Sequence, residues 1–256
     1  MSDADYHKRP EWSYSSMKPI LESGIDYAVG IKQGLIPQSF GSAVDLGQLA
    51  HMLILGGDDT FAISEFTDFR TKLAREWRDE QIEAGKNIIT QEQFEAVTQM
   101  VKNIENHPHT GMYLLGKDIK HEQEMYATTA EGIKLRGKAD AIRLNKDSAI
   151  ITDLKTTAQF DKFAKDAYWR HYDLQAANYT LIGASYLKIN PSFVNSYYCV
   201  VETVAPYRVQ YFHASAEFLD SGERKLRRCL DTIADFGDKK PNFLIEEVVE
   251  LGDWSN

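Results

Sequence analysis

Cysteine is scarce in this chain of 256 residues. Cys199 and Cys229 are the only two, and they show no paired spacing. Two thiols cannot build a four-cysteine metal ribbon or a disulfide framework, so a reducing compartment is expected. No apolar run approaches membrane-spanning length. The start, Met1-Ser2-Asp3-Ala4-Asp5, is polar and acidic and has no signal-peptide pattern, which makes the cytoplasm the expected location. Positive charge is also short. There are 29 Lys and Arg against 38 Asp and Glu, a net charge of −9. That excludes a generic coat for polyanions, because phosphate binding needs positive charge at the contact surface. It leaves open a protein whose basic groups line a single channel. No Gly-x-Ser-x-Gly elbow is present, so a serine or cysteine hydrolase lacks support. Neither an internal repeat nor a low-complexity linker appears. What remains is ordinary globular composition, 43% hydrophobic and 26% charged, long enough for a substantial core.

The most informative stretch covers residues 137–157. It reads as two strands joined by the polar turn Asn145-Lys146-Asp147-Ser148. The second strand opens on Ala149-Ile150-Ile151-Thr152, apolar and β-branched, and then ends in charge. Asp153 and Lys155 are two apart, so on a strand they point to one face. Asp140 lies late in the preceding strand and can reach the same place across the hairpin. Two carboxylates can hold a hard divalent cation through oxygen. An ammonium beside them can orient or activate a water, or stabilise charge that develops on a phosphate.

Around this hairpin the chain reads mainly as helices first and mixed structure later. Residues 6–36 carry Met17, Ile20, Leu21, Tyr27, Ala28 and Ile31 at helical spacing, with Ser13 or Ser15 as the cap. Residues 39–57 read as a helix of small residues ended by glycines, with His51 on it. A lone histidine there ordinarily makes a structural hydrogen bond. Residues 58–110 look helical and charged. Phe69, Leu73 and Trp77 are spaced for one face, and Arg70, Lys72, Arg75 and Arg78 fill the rest, as a solvated face or a DNA-facing wall. Thr90-Gln91-Glu92-Gln93 is a capping box for a helix to about Glu105, and His107-Pro108-His109 ends it as a loop. A strand follows at residues 121–127, where Glu122 and Glu124 alternate toward one face. Residues 160–187 form one long helix or two, with Gln175 and Tyr179 four apart on one side and Lys162, Lys165 and Arg170 near the entry, where they can contact backbone phosphates. Strands at 193–201 and 207–212 come next. Ser215 then caps a helix from 216 to about 236, decorated by Glu223, Lys225, Arg227 and Arg228. The acidic end, Glu246 to Trp254, is a final strand with a tail, or a subunit contact.

The hairpin resembles the PD-(D/E)xK nuclease core, with Asp140 as the first acid and Asp153-Leu154-Lys155 as the Asp-x-Lys element. The form Asp-Leu-Lys-Thr-Thr, with Tyr6-His7 near the start, His51 on its small-residue helix and Gln-x-x-x-Tyr one helix later, looks most like the RecE-like exonuclease (exonuclease VIII) family. The resemblance implies an α/β fold, a restriction-endonuclease-like core with a mixed central sheet flanked by helices, plus an N-terminal helical part. One domain would span 1–256, mainly helical over 1–115, with the catalytic core over 116–256. It implies Mg²⁺ or Mn²⁺ held by His51, Asp140, Asp153 and the Leu154 carbonyl. Glu122 would be the upstream acid, with Glu124 the other choice. Lys155, Gln175 and Tyr179 would act on the water or the phosphate. It also implies a 5′→3′ exonuclease on double-stranded DNA ends that leaves 3′ single strands for recombination. A ring-like homo-oligomer, a single-strand annealing partner and a phage origin belong to the same picture. A restriction-type or structure-specific endonuclease, or a DNA-binding module without catalysis, are the alternatives.

Overall fold

The architecture is read from a computed structural model, which describes residues 6, 9–37, 46–56 and 61–244. Ser13 caps the first described helix, α1 (Tyr14–Ser23), by a capping box with Ser16. Ser15 lies inside that helix. Gly24, at φ +92°, breaks the apolar stripe, and the chain continues as α2 (Ile25–Lys32). The described part of the small-residue helix is α3 (Leu46–Leu55). Its expected beginning at 39–45 and its second glycine lie outside the described residues, as does the acidic segment 246–254.

The region 61–90 corrects the all-helical expectation. Two short strands, β1 (Phe61–Ser64) and β2 (Asn87–Thr90), pair in parallel on either side of α4 (Lys72–Glu83). Four-residue strands give too few alternations to stand out beside a charged helix. Leu73 is also not a packing residue; it is 67% exposed, and Ala74 is the one buried instead. Phe69 precedes α4 and stacks on Trp77 at 6.4 Å. Thr90 and Gln93 form the expected capping box of α5 (Gln91–Glu105). A short turn of helix, α6 (Thr110–Tyr113), leads into the main sheet.

That sheet has the order β3 (Ile119–Thr128), β4 (Lys134–Leu144), β5 (Ala149–Thr157), β6 (Val194–Glu202), β7 (Val209–His213). All pairs are antiparallel except β5 with β6. A parallel pair needs a crossover, supplied here by α7 (Phe163–Trp169) and α8 (Tyr172–Leu187). The two helices are separate because His171 takes a left-handed φ of +58° between them. The last described helix is α9 (Ala216–Phe236), capped by Ser215.

Helices cover both faces of the sheet. On one face, Ile151, Val194, Leu135 and Met125 pack with α1, α8 and α9. On the other, Leu154, Cys199, Val201 and Ala141 pack with α3 and α5. Two departures from regular pairing shape the region between. First, β4 and β5 pair only from Ala141 opposite Thr152 to Leu144 opposite Ala149, although both strands run on. They splay, and the segment before α1 takes up the free edge of β4. Trp12 bridges to Leu135, with backbone hydrogen bonds to Lys134 and Arg136 of 2.9 and 2.8 Å. Second, the faces switch. Ile119 and Met125 are six apart and should share a face, yet they lie in opposite cores. Ala139 and Ala141 do the same on β4. Between them sit Glu122, with a left-handed φ of +52°, and Asp140, which faces it in the register.

Candidate active site

Asp140 stands one step beyond the last β4–β5 pair, where the strands part. Its Oδ2 accepts a 2.7 Å hydrogen bond from the Leu154 amide and so replaces the missing ladder contact. Leu154 itself points to the opposite face and is fully buried. That burial contributes about 2–3 kcal/mol and fixes the backbone between Asp153 and Lys155.

Asp153 and Lys155 share the α8 face, as the two-residue spacing predicts. Asp153 is 3% exposed, and its Oδ2 pairs with the Lys155 ammonium without hydrogen-bond geometry. Its Oδ1 accepts from Gln175 Nε2 at 2.7 Å. The Tyr179 hydroxyl lies 3.4 Å from the same oxygen and 2.8 Å from the Lys138 carbonyl. A hydroxyl has one proton, and the shorter contact takes it. The 175/179 spacing thus places both side chains over Asp153, from a helix that is buried at both positions.

From the other side, His51 on α3 brings its Nε2 to 2.9 Å from the Leu154 carbonyl, and its Nδ1 to 3.7 Å from Asp140 Oδ2. Glu122 forms an ion pair with Lys138, whose register partner on β3 is Glu124. Glu124 in turn accepts a 2.7 Å hydrogen bond from the Tyr126 hydroxyl. His107 and His109 lie away from this cluster and pack at tilted angles against Tyr211 and Tyr113.

Lys138 and Tyr172 are the residues that sequence reasoning missed. The Tyr172 ring lies 4.8 Å from the Lys155 Nζ, close enough for a cation–π contact. Lys138 had a signal: it sits two residues before Asp140 on the same strand. Tyr6 and Trp12 also belong here as a floor. The Tyr6 carbonyl accepts from Arg136, and its ring lies 4.3 Å from that guanidinium.

The electrostatics follow from crowding. Burial pushes the Asp140 carboxyl well above its ordinary range, and the charge of Asp153 pushes it further. Burial alone would lower Lys155, but Asp153, Tyr172 and Asp140 outweigh it and keep the ammonium above its usual value. Desolvation lowers His51, against the pull of Asp153, so its ring is neutral at pH 7.

A hard divalent cation suits this donor set of two carboxylates, a backbone carbonyl and a neutral imidazole. The raised Asp140 carboxyl, crowded against Asp153, is the observation that fits such an ion. The set is not a closed cage. Among the described residues, no three His, Cys, Asp or Glu side chains group tightly enough to hold a metal ion. Lys155 and Lys138 sit on Asp153 and Glu122 instead.

Comparison with known proteins bears on the family and the fold. Residues 13–242 match a family model described as a PDDEXK-like domain of unknown function (DUF3799). The crystal structure of a candidate exonuclease from Eubacterium rectale superposes with a TM-score of 0.61 at 14% identity, covering 97% of this chain and 93% of that one. At that identity the likeness concerns the fold. The crystal structure of SSO0001 aligns with a TM-score of 0.29 at 13% identity, over 79% of this chain and 84% of that one. No curated protein matches in sequence.

Proposed function

This chain belongs to the PDDEXK-like domain family, and on that premise we propose that it hydrolyses DNA phosphodiester bonds with a divalent cation. The observation that carries the reading is the meeting of Asp140, Asp153, Lys155 and His51 where β4 and β5 part. Asp140, Asp153, His51 and the Leu154 carbonyl would hold Mg²⁺ or Mn²⁺, with Glu122 supporting a second ion or its waters. When bound, that cation supplies Lewis-acid stabilisation of charge on the phosphoryl and leaving 3′ oxygens.

The chain's own residues do the rest. Lys155 is an ammonium at neutral pH, so it donates: it orients the attacking water and stabilises charge on the phosphate. Tyr172 and Asp153 hold that ammonium in place. Gln175 fixes the Asp153 carboxylate, Tyr179 ties the α8 face to the Lys138 carbonyl, and both border the space where water and phosphate would meet. The resemblance to RecE-like exonucleases carries the finer reading. The substrate would be a double-stranded DNA end, degraded 5′→3′ to leave 3′ tails for recombination. A ring-like homo-oligomer and a phage-type annealing partner would accompany it.

Linear and closed circular duplexes with Mg²⁺, and with chelator, decide the reading. We expect metal-dependent loss of the linear DNA alone, abolished by Lys155→Ala. A cut circle would make the protein an endonuclease. Wild-type inertness toward both DNAs in every divalent metal would refute hydrolysis.

A further inference from the structure

The two residues that follow Lys155 on β5 line a cavity of about 380 Å³. The elements that carry the candidate site also build its walls. From α3 comes Gly47, one helical turn before His51. From β5 come Thr156 and Thr157, the two residues after Lys155. The corner between α7 and α8 supplies Arg170, two residues before Tyr172. Gln159 and Asp166 also line the space, so its polar side chains are hydroxyls, an amide and one charge of each sign, beside the apolar Leu46 and Ala158. The volume falls in the usual range for small-molecule sites.

Arg170 is the unusual member. Its backbone is held at both polar atoms. The amide donates to the Asp166 carbonyl at 2.8 Å, and its own carbonyl accepts from the Tyr14 hydroxyl at 2.7 Å. The next residue, His171, is a non-glycine in the left-handed region, a conformation kept only where the surroundings impose it. Yet the exposed guanidinium has no hydrogen bond or ion pair among the described residues. On β5, the Thr157 hydroxyl accepts from the Gln159 amide at 3.1 Å, which leaves its own proton to donate. A fixed backbone with an unengaged guanidinium beside donor hydroxyls matches the needs of a phosphate, which an arginine fork can grip through two oxygens.

We propose that this cavity is a phosphate subsite. It holds the substrate phosphate next to the one that is cut, with Arg170 as the charged donor and Thr156 and Thr157 as neutral ones. The identity of the substrate rests on the nuclease reading above. The phosphate is either the terminal one of a 5′ end or an internal one of the same strand, and the chemistry is shared.

The test is equilibrium binding of a labelled short duplex across a salt series, in chelator, for wild type, Arg170→Ala and Arg170→Lys. Duplexes with 5′-phosphate and with 5′-hydroxyl ends are compared. Arg170→Ala should weaken binding about tenfold and lower the slope of log affinity against log salt by about 1. Arg170→Lys should recover part of the affinity, because it restores the charge without the fork. A penalty that disappears on the 5′-hydroxyl duplex assigns the subsite to the terminal phosphate. A penalty that persists assigns it to an internal one. Equal affinity and equal slope for wild type and Arg170→Ala would overturn the subsite. Turnover with Mg²⁺, measured in parallel, separates the two ideas. An inert wild type that keeps the Arg170 signature refutes the nuclease reading alone. An active wild type whose Arg170→Ala variant binds equally well refutes the subsite alone.

Discussion

Lys225 lies on a helix face that reads as solvated, yet its ammonium reaches Asp173, a carboxylate with no exposed surface. This corrects its expected role as decoration. The reason is local. Ser221 and the Leu174 amide also bind Asp173, and Tyr168 lies 4.2 Å from the Lys225 Nζ. Removing one partner of a buried pair strands the other, so Lys225→Met should cost about 3 kcal/mol in urea unfolding. The double change Asp173→Asn with Lys225→Met should cost less than the single change. Glu11 makes a second residue-scale case. Arg9 grips it through Nε and Nη2 at 3.1 and 3.0 Å, and that hydrogen bonding holds its carboxyl at about 2, against 4.5 ordinarily. A carboxyl lowered on folding adds stability above its unfolded value and loses it as pH falls through the folded one. Unfolding midpoints should therefore show a Glu11 contribution that is full above pH 4.5 and gone near pH 2. Glu11→Gln should flatten that part of the curve.

At the scale of elements, the helices that carry the candidate site are positioned by close approach. A Cβ on Gly222 of α9 would lie 2.0 Å from the Asp173 carbonyl at the start of α8. Backbone cannot yield as a side-chain tip can. Gly222→Ala should therefore push α8 away, destabilise the fold by about 2–3 kcal/mol, and move Gln175 and Tyr179 off Asp153. A fall in kcat beyond the loss of folded protein is the expected readout. Caps with strong local chemistry were legible in the sequence: Ser13, Thr90 and Ser215 all start helices where their side chains predict. The β1–β2 pair was not, and the sequence leaves open the choice between one helix and two over 160–187. The first is too short for periodicity, and the second rests on one histidine in an unfavourable backbone region.

For the whole molecule, the two carboxylates Asp140 and Asp153 repel one another at the meeting point of several elements. A bound cation relieves that repulsion only in the folded state. Mg²⁺ at a hundredfold excess over its dissociation constant should stabilise by about 2.7 kcal/mol, which is roughly 5–10 °C in the melting midpoint for a chain of this size. Asp140→Asn should melt higher than wild type in chelator and respond less to Mg²⁺. A midpoint indifferent to divalent metal in the wild type would count against the metal reading. Among the described residues, no helix is long and apolar enough to cross a membrane. The mixed five-stranded sheet with flanking helices was expected from element order and from the resemblance. Spacing put Gln175 and Tyr179 on one helical face and the resemblance made them site candidates; their convergence on Asp153 is what the fold adds. The meeting of Asp153 with Lys155 was legible in their two-residue spacing, whereas the pairing of Glu122 with Lys138 across two strands was not, because a sequence lists charges without saying which of them meet.

The splay between β4 and β5 also has a consequence in time. Trp12 is made long before Leu135, the strand residue that receives it. On a growing chain this early segment has no strand to pair with until the one bearing the first acid has emerged. The wall of the cleft is therefore completed by its oldest piece, recruited late. Whatever delays or diverts that piece, even far from any charged side chain, leaves the strands parted with nothing between them.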